Sequence, residues 1–465
     1  MAYGEIIFWS LIFFLAGVGL GGSSWSISLI ILAALVLAAL LFFWKSLSIR
    51  WLIFLVGLTF FGAFYFHLYG VLINRTISLP QEKTTFQAVV TELPRRYDNL
   101  TVVSMKALPP WSGTFDLLVN LPLDVQYGEK LEITGSFEDS NWPDMPSLWA
   151  EDVERFDGDN TRSLRSILVN IREKLIHGVY QILPSDHAAF IAGITVGARG
   201  GMSTELREAM RASGTTHLVV LSGYNVLIVV LIARRLLEKR LAHKKRFYVI
   251  SLALFLFLML VAVEPSITRA GIMGWLVLLG EYWGRLVHFG YLIVLAGAVM
   301  LLIYPSLLVY SIGFQLSFLS LIGIAYVAPI LKRFMSEYLK EKTNTPLVEA
   351  LCETAAAQLM VWPLLSFYFD GVSLTSLVAN MLILPLVPFL MVAGIFLSLA
   401  AAFNIHLGAL FSFVIKPLVD YVLSVIHIFS WLTIPLPDIN QPLIIISIYG
   451  ILALVLVPRV IDNKR

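Results

Sequence analysis

Residues 374–402 have the sequence LTSLVANMLILPLVPFLMVAGIFLSLAAA, without one Asp, Glu, Lys, Arg or His. About twenty apolar residues in an α-helix, at roughly 1.5 Å per residue, cross the hydrocarbon core of a bilayer. This stretch therefore predicts a membrane-spanning segment. The whole chain has the same character, because 58% of its 465 residues are hydrophobic, only 14% are charged, and the mean hydropathy is +0.82.

A soluble protein cannot bury so much apolar surface. The composition excludes a conventional cytosolic enzyme, a disordered chain and a disulfide-rich secreted module. The formal net charge of +2 gives no argument for or against a nucleic-acid partner. The single cysteine, Cys352, excludes an internal disulfide and a zinc cluster built from cysteines, and we interpret it as a small core residue.

Apolar runs predict about twelve membrane-spanning helices, three of them within residues 1–74. The first run has no basic segment before it and is followed by further spans, so we interpret it as a retained helix rather than a cleavable signal. The predicted spans are 6–22, 26–44, 51–73, 216–233, 247–263, 266–284, 287–303, 307–330, 347–368, 374–402, 405–431 and 442–458.

Lysine and arginine in the short loops predict the orientation of these spans. They are concentrated in residues 45–50, 234–246, 331–345 and 459–465, and alternating the spans places all four segments on one side. Short cytoplasmic loops carry an excess of these residues. We therefore expect a multi-pass protein of the cytoplasmic (inner) membrane with both termini in the cytoplasm and residues 75–160 outside.

Residues 75–160 interrupt the apolar pattern with fifteen acidic and seven basic residues, a net charge of −8. Short alternating runs at 85–90, 100–103, 115–119 and 130–134, separated by turn residues, are typical of strands. They predict a small all-β domain, a sandwich or a barrel, with residues 142–158 as a loop.

Residues 161–185 return to a helical period and predict an amphipathic helix and linker. This helix would lie either at the membrane interface or against the β domain. The predicted domains are an N-terminal transmembrane segment (1–74), the β-rich domain (75–160), the amphipathic helix and linker (161–185) and the main transmembrane domain (186–465).

Five polar clusters in the main transmembrane domain are not explained by burial in lipid. A glycine-rich stretch, 193–203, precedes a short helix that we expect Ser203 to cap. Polar residues at membrane depth usually face a bundle interior or a water-filled cavity, and hydrogen bonds between helices are the alternative explanation. The candidate site residues are Arg199, Arg207, Arg211, His217, Ser222, Tyr224, Asn225, Arg269, Gln315, Gln358 and Asn380.

Motifs for other chemistry are absent from the sequence. It has no Walker A sequence, no His-Glu-x-x-His and no Gly-x-Ser-x-Gly elbow, and its eight histidines are scattered. We predict no cofactor, no metal site and no nuclease or ATPase activity in this chain. From the residues alone, a channel, a transporter and an intramembrane enzyme remain open.

Most of residues 190–400 resembles the ComEC-type competence family, the inner-membrane DNA channels of natural transformation. The central signature of that family is S/T-H-L-x-x-x-S-G-x-H/N, and it is matched by Thr216-His217-Leu218, Ser222-Gly223 and Asn225. Other family segments occur in the family's order at 197–211, 265–270, 313–318, 358–364 and 380–385. The first 160 residues also resemble the family, with a few spans before a β-rich, OB-like external domain.

The resemblance implies a channel that imports single-stranded DNA across the cytoplasmic membrane, and not an enzyme. Residues 186–465 would then be the channel domain. The four arginines among the candidate residues would contact phosphates, because Arg pairs well with phosphate, and Tyr224 would stack on a base. His217, Ser222, Asn225, Gln315, Gln358 and Asn380 would line the path.

The implied partners are single-stranded DNA, the lipid bilayer, and a separate DNA receptor, nuclease and cytosolic motor or DNA-binding proteins. A homodimer also stays open. The net charge of −8 on the β domain disfavours strong non-specific DNA binding there, so gating or docking of a partner is an equal alternative.

Two departures from the family pattern bear on these expectations. Many members carry His at the position of Asn225, so the resemblance gives no proton or metal role at this residue. Many also end in a metallo-β-lactamase-like domain with a His-x-His-x-Asp-His motif, which this sequence does not contain. A transporter of a small solute or lipid, and a scaffold without a ligand, are the alternatives to the channel.

Overall fold

The computed structural model describes residues 3–22, 49–76, 79, 83–92, 94–97, 100–120, 123, 125, 127–138, 146–156, 164–198, 201–219, 223–261, 265–285, 287–339, 346–368 and 375–432. The predicted spans 26–44 and 442–458 lie outside these residues, as do the candidate residues Arg199 and Ser222. The backbone of Tyr224 is described, but its side chain is not.

The described helices are numbered in chain order. They are α1 Tyr3–Gly22, α2 Ile49–Thr76, α3 Leu164–Ile182, α4 Ser185–Val196, α5 Thr204–Ala212, α6 Gly223–Glu238, α7 His243–Leu260, α8 Pro265–Tyr282, α9 Phe289–Ile303, α10 Leu307–Tyr310, α11 Ile312–Ile322, α12 Ala328–Leu339, α13 Pro346–Tyr368, α14 Ser376–Ile383, α15 Val387–Phe403 and α16 Ile405–Trp431. A 3₁₀ turn, Thr216–Leu218, precedes α6, and a π turn, Gly323–Val327, joins α11 to α12.

Within the described residues, five helical stretches are long and apolar enough to cross a membrane, and the bent pair α14–α15 adds a sixth if it counts as one span. The five are Glu5–Gly22, Ile53–Leu72, Ile312–Ser336, Val348–Tyr368 and Ile405–Trp431. Each lies on a predicted span, which confirms a helical membrane protein. Helices α6 to α9 lie on four further predicted spans but are shorter or more polar, and the total of about twelve stays a prediction.

The stretch 374–402 forms two helices rather than one. Helices α14 and α15 meet at an angle of 52°, and Pro385 lies in the break between them. Proline has no backbone N–H and its ring clashes with the preceding helical turn, so it ends or kinks a helix. The segment has the predicted length and apolar character but is a broken span.

The chain divides into two compact units. The first comprises residues 1–170 and 272–314, and the second comprises 171–271 and 315–465.

Helices α1 and α2 of the first unit pack closely through glycines. A Cβ atom on Gly17 would lie 2.0 Å from the carbonyl oxygen of Thr59, and one on Gly62 would lie 2.3 Å from that of Phe14. No side chain fits in these gaps, so only glycine permits this approach. Small residues at helix contacts are the usual means by which membrane helices associate.

The β domain of the first unit is a small five-stranded barrel with one extra edge strand. The strands are β1 Thr84–Val90, β2 Arg95–Tyr97, β3 Leu100–Ala107, β4 Thr114–Val119, β5 Lys130–Glu138 and β6 Ser147–Phe156. Their order is β1-β5-β6-β4-β3, and the pairing of β1 with β3 closes the ring, while β2 extends β3 at the edge. All pairs are antiparallel except β4–β6, which is parallel.

The barrel core consists of every second residue along the strands, whose side chains point into the barrel. Phe86, Phe115 and Phe137 contact one another, with ring centroids 5.4–6.0 Å apart. The fully buried members are Ala88, Val103, Met105, Phe115, Leu117, Leu131, Ile133 and Leu148. The predicted β-rich domain is therefore present as a barrel.

Strand β6 corrects the prediction of a loop over residues 142–158. Ser147–Phe156 pairs with both β4 and β5, and among the side chains described from Ser147 to Arg155 only Leu148 is fully buried. Glu151, Asp152 and Glu154 are exposed on the outside of the barrel. The dense acidic residues hide the alternation that would have indicated a strand.

In the second unit, the core surrounds α4. Every residue of α4 from Ala188 to Val196 is buried. Residues of α5, α14, α15 and α16 pack around it, including Leu206, Met210, Ile383, Leu390 and Val422. A helix that is apolar on all sides belongs at the centre of a bundle.

Candidate functional site

The glycine-rich stretch between α4 and α5 is a turn whose described parts, residues 197–198 and 201–203, are held by hydrogen bonds. Gly197 and Gly201 have positive φ angles of 66° and 76°, which favour glycine. The carboxylate of Asp186 accepts hydrogen bonds from the backbone N–H (2.8 Å) and the hydroxyl (2.9 Å) of Ser203. Ser203 in turn accepts from the N–H of Leu206 at 3.2 Å, which confirms it as the N-cap of α5.

Tyr180 of α3 lies against the same turn. A Cβ atom on Gly201 would be 2.0 Å from the Tyr180 hydroxyl oxygen. Burial raises the pKa of the Tyr180 hydroxyl, and the nearby Asp186 carboxylate raises it further. The hydroxyl is therefore protonated at neutral pH and able to donate.

Arg172 of α3 is a buried residue whose role the sequence did not indicate. Its side chain is 8% exposed, its Nε donates to the carbonyl oxygen of Val196 (3.1 Å), and its Nη2 donates to that of Gly197 (2.7 Å). The last carbonyls of a helix have no partner within the helix and carry partial negative charge. Arg172 therefore ties α3 to the C-terminal end of α4.

The two candidate arginines of α5 differ in environment. Arg207 is half-buried, and its Nη2 donates to the carbonyl oxygen of Met202 at 3.2 Å. Arg211, one turn further along, is exposed, as is His217 in the 3₁₀ turn. Arg211 is thus available to an anion at the surface of this unit, while Arg207 also supports the glycine-rich turn.

Asn225 lies in the first turn of α6, and Arg269 of α8 lies next to that turn. Asn225 is 1% exposed, and its Nδ2 donates to the carbonyl oxygen of Ile194 in α4 at 3.1 Å. A Cβ atom on Gly223 would lie 3.3 Å from Nη2 of Arg269. The central signature therefore joins α6 to α4 and α8.

Arg269 is 6% exposed, and its side chain contacts residues of the same unit. Its Nη1 donates to the carbonyl oxygen of Ser317, and its guanidinium carbon lies 5.6 Å from the ring centroid of Phe318. A cation over an aromatic face is attracted by the ring quadrupole. Its Nε has no hydrogen-bond partner within the described residues. Arg269 thus joins α8 to α11, and a phosphate contact here requires a path that reaches the remaining N–H.

The candidate amides of α13 and α14 are close to one serine. Gln358 Nε2 donates to the hydroxyl of Ser376 at 3.0 Å, and a Cβ atom on Gly214 would lie 2.5 Å from the Ser376 Cβ. Asn380, one turn after Ser376, is 1% exposed, and its Oδ1 has no hydrogen-bond partner in the described part of the chain. Gln315 is half-buried on α11, two residues before Ser317.

The structure therefore brings the candidate residues together in two groups. Asn225 and Arg269 belong to the contacts of α6 with α4 and α8, and Gln315 lies on the same helix as Ser317, the partner of Arg269. Gln358 and Asn380 belong to the start of the broken span. His, Cys, Asp and Glu side chains form no group of three or more suited to a metal ion among the described residues.

Apolar helices of spanning length, buried polar groups between shorter helices and an inserted strand barrel define a multi-helix membrane protein with a β domain. A family model described as "Competence protein" matches residues 194–461, more than half of the chain, and the chain belongs to that family. The matched range includes every candidate site residue. This confirms the resemblance to the ComEC-type competence family.

A curated relative supports the same assignment. The chain is 25% identical over 380 residues to ComE operon protein 3 of Bacillus subtilis (strain 168), and the match covers 76% of this chain and 48% of that protein. The chain thus spans about half the length of this relative. No solved structure matches the chain.

Proposed function

We propose that this chain forms a membrane channel that imports single-stranded DNA across the cytoplasmic membrane during natural transformation. The observation that carries the proposal is membership of the competence family over residues 194–461. These residues contain both groups of polar side chains. Conduction of a polyanion needs weak and repeated contacts along a hydrated path, which polar groups on several helices can supply.

The arginines have different parts in this proposal. Exposed Arg211 would meet phosphates directly, and half-buried Arg207 would support it. Arg269 would act mainly by fixing α8 to α11, with its Nε available to a phosphate that enters the path. Asn225, Gln358 and Asn380 would set the positions of the helices around that path and offer it amide groups.

For the β domain, we propose an OB-like barrel that docks or gates a DNA-binding partner. Five strands in the order β1-β5-β6-β4-β3, closed by β1–β3, support this assignment, since the OB fold is a five-stranded Greek-key barrel. OB folds bind single strands through basic grooves. The net charge of −8 over residues 75–160 and the exposed acidic residues of β6 instead favour a basic partner.

The proposed orientation places both termini and the basic loops in the cytoplasm and the barrel outside. Loops 234–246 and 331–345 support it by the excess of Lys and Arg in cytoplasmic segments. The proposal includes separate proteins for DNA capture, strand degradation and the motor. A homodimeric channel is compatible with it.

A transporter of a small solute or lipid is the second candidate, and one observation favours it. The α14–α15 pair is a broken span whose first half-helix carries the buried polar residues Ser376 and Asn380, and transporters often bind their substrates at such breaks. This candidate predicts a growth or lipid phenotype that does not depend on added DNA.

The test is uptake of labelled DNA into nuclease-protected form by the native host, with and without this gene. Surface-bound DNA is counted separately. We expect binding to persist and protected DNA to be lost in the deletion strain, and to return with the wild-type gene. An unchanged amount of nuclease-protected DNA in the deletion strain would contradict the channel and favour the transporter.

A variant pair from one helix sharpens the test. Arg211→Gln removes an exposed positive charge from α5, and Glu208→Gln removes an exposed negative charge three residues earlier. We expect Arg211→Gln to lower protected uptake by about tenfold, equivalent to ~1.4 kcal/mol, and Glu208→Gln to leave it unchanged or raised. Equal effects of the two variants would remove Arg211 from the DNA path.

A further inference from the structure

Helix α16 carries charged residues far from its ends although it is long and apolar enough to span a membrane. Lys416 and Asp420 are each eleven residues, about 16 Å at 1.5 Å per residue, from the nearer end of Ile405–Trp431. With Ser424 they lie four residues apart, so all three share one face of the helix. All three are exposed.

The opposite side of α16 is packed into the core of the second unit. Ile415, Val419, Val422 and Ile426 are buried there against α4, α5 and α14. The outer side has two edges, because exposed Val414 and Tyr421, two residues before and five residues after Lys416, lie about 140–160° around the helix from it. One edge carries Lys416, Asp420 and Ser424 together with exposed Phe413, and the other edge is apolar.

Asp420 is bound by a histidine from the central helix. Its Oδ1 lies 2.6 Å from Nε2 of His187, in the first turn of α4, and the two side chains are 52% and 14% exposed. His187 therefore fixes the carboxylate beside α4 and offsets its charge when protonated. Lys416, one turn away, adds a further positive charge to the same face.

Lipid is an unfavourable neighbour for this face. Ionisable residues within membrane helices are costly and nearly always face a bundle interior or a water-filled cavity. Lys416 is too far from either end of α16 for its stem alone to bring the ammonium to the interface. The apolar edge with Val414 and Tyr421 suits lipid, whereas the charges of Lys416 and Asp420 on the other edge suit water.

We infer that the Lys416–Asp420–Ser424 face of α16 lines a water-filled path at membrane depth, with His187 holding Asp420 at its wall. Lys416 is then the cation that meets an anionic cargo in this path. Only the identity of that cargo, the phosphates of single-stranded DNA, rests on the proposed function.

The test is water access to single cysteines in membranes of the native host. Cys352 is the sole cysteine of the chain and is replaced first, by Cys352→Ser. Ser424→Cys and Lys416→Cys then probe the polar edge, and Val414→Cys and Tyr421→Cys are the matched controls on the apolar edge. The probe is a charged, membrane-impermeant methanethiosulfonate, which reacts with the thiolate that forms in water.

We expect Ser424→Cys and Lys416→Cys to react about tenfold faster than the two controls, because lipid keeps a thiol protonated. Ser424→Cys changes one atom, so it serves as the variant whose folding is safest. Equal and slow reaction at both edges would overturn the path. Disulfide cross-linking of Ser424→Cys between two copies, without labelling, would also overturn it and make the face a dimer interface.

A second readout separates the path from its cargo. Lys416→Met should lower nuclease-protected DNA uptake by about tenfold, and Lys416→Arg should retain it because the positive charge remains. Fast labelling together with normal uptake in Lys416→Met would keep the water-filled path and reject DNA as its cargo. Lost uptake without labelling would reject the path and leave the proposed function standing.

Discussion

The guanidinium of Arg172 lies 2.7 Å from the carbonyl oxygen of Gly197, at the point where the central helix of the second unit ends. Its Nε also binds the carbonyl oxygen of Val196. The glycine-rich turn that leads to α5 starts at this bond. A helix outside the predicted spans therefore fixes the end of α4, which is buried from Ala188 to Val196.

We expect Arg172→Met to destabilise the second unit by about 1.5–3 kcal/mol, because two buried carbonyls lose a charged donor. Thermal unfolding in detergent measures the change. Lys174→Met, at an exposed position of the same helix, is the control and should have little effect. Equal unfolding temperatures for the wild type and Arg172→Met would contradict a structural role for this arginine.

Asn225 explains why the family signature accepts either Asn or His at this position. Its amide donates to the carbonyl oxygen of Ile194, and a histidine ring N–H can donate in the same way. We expect Asn225→His to retain most DNA uptake, and Asn225→Leu to lose uptake and about 0.5–1.5 kcal/mol of stability. If Asn225→Leu behaves like the wild type, the hydrogen bond to α4 is dispensable.

We expect Arg269 to support DNA uptake through its contacts with α11. Arg269→Ala should lower protected DNA uptake by about tenfold, ~1.4 kcal/mol, without loss of protein from the membrane. Phe318→Leu removes only the aromatic face, a contribution of about 0.5–2 kcal/mol, and should give a smaller effect. Immunoblotting of membranes accompanies each uptake assay. Normal uptake in Arg269→Ala would remove Arg269 from the path and from the support of α11.

Gly17 tests the packing of the first two described helices. Gly17→Ala places a methyl group against the Thr59 carbonyl and should separate α1 from α2. Gly57→Ala is the matched control, because a Cβ atom there meets nothing within 4 Å. Protease resistance of the two variants in detergent should differ clearly. Equal resistance would mean that α1 and α2 do not depend on this approach.

Leu117 tests the barrel core at the parallel pairing of β4 with β6. Leu117→Ala removes a fully buried side chain and should cost about 2–5 kcal/mol, whereas Lys106→Ala, exposed on the neighbouring strand, should stay within about 0.5 kcal/mol. Hydrogen exchange of the strand amides in the full-length protein reports the barrel separately from the helices. Unchanged protection in Leu117→Ala would contradict a core position.

Sequence periodicity predicted the features that depend on a single element. Apolar length gave Glu5–Gly22 and Ile405–Trp431, and alternation gave strands β1, β3, β4 and β5. It did not give β6, because the dense acidic residues hide that strand's own pattern and its place depends on pairing with β5 and β4. Pairing between distant segments leaves no local signal.

The sequence likewise predicted some residues of the candidate site and missed others. Composition singled out Arg269 and Asn225 because each is polar within an apolar run. Arg172 and Asp420 were missed. Arg172 lies on an amphipathic helix, where a charge is usually solvated, and Asp420 is a single acidic residue in a long span. Neither shows a role until the helix that holds its partner is known. His187 and the end of α4 are those partners, and both lie far away in sequence.

The parallel pairing of β4 with β6 also sets an order in which the barrel can assemble. Strands β3 and β4 are joined by a short turn and can pair as soon as both have left the ribosome or the export machinery. Closure must wait for β6, which lies 28 residues beyond the end of β4, counted from Val119 to Ser147. Loop-closure entropy makes such distant pairings slow. Once β6 has paired with β5 and before it reaches β4, its exposed acidic residues Glu151, Asp152 and Glu154 make it a poor edge for pairing with a second incomplete chain.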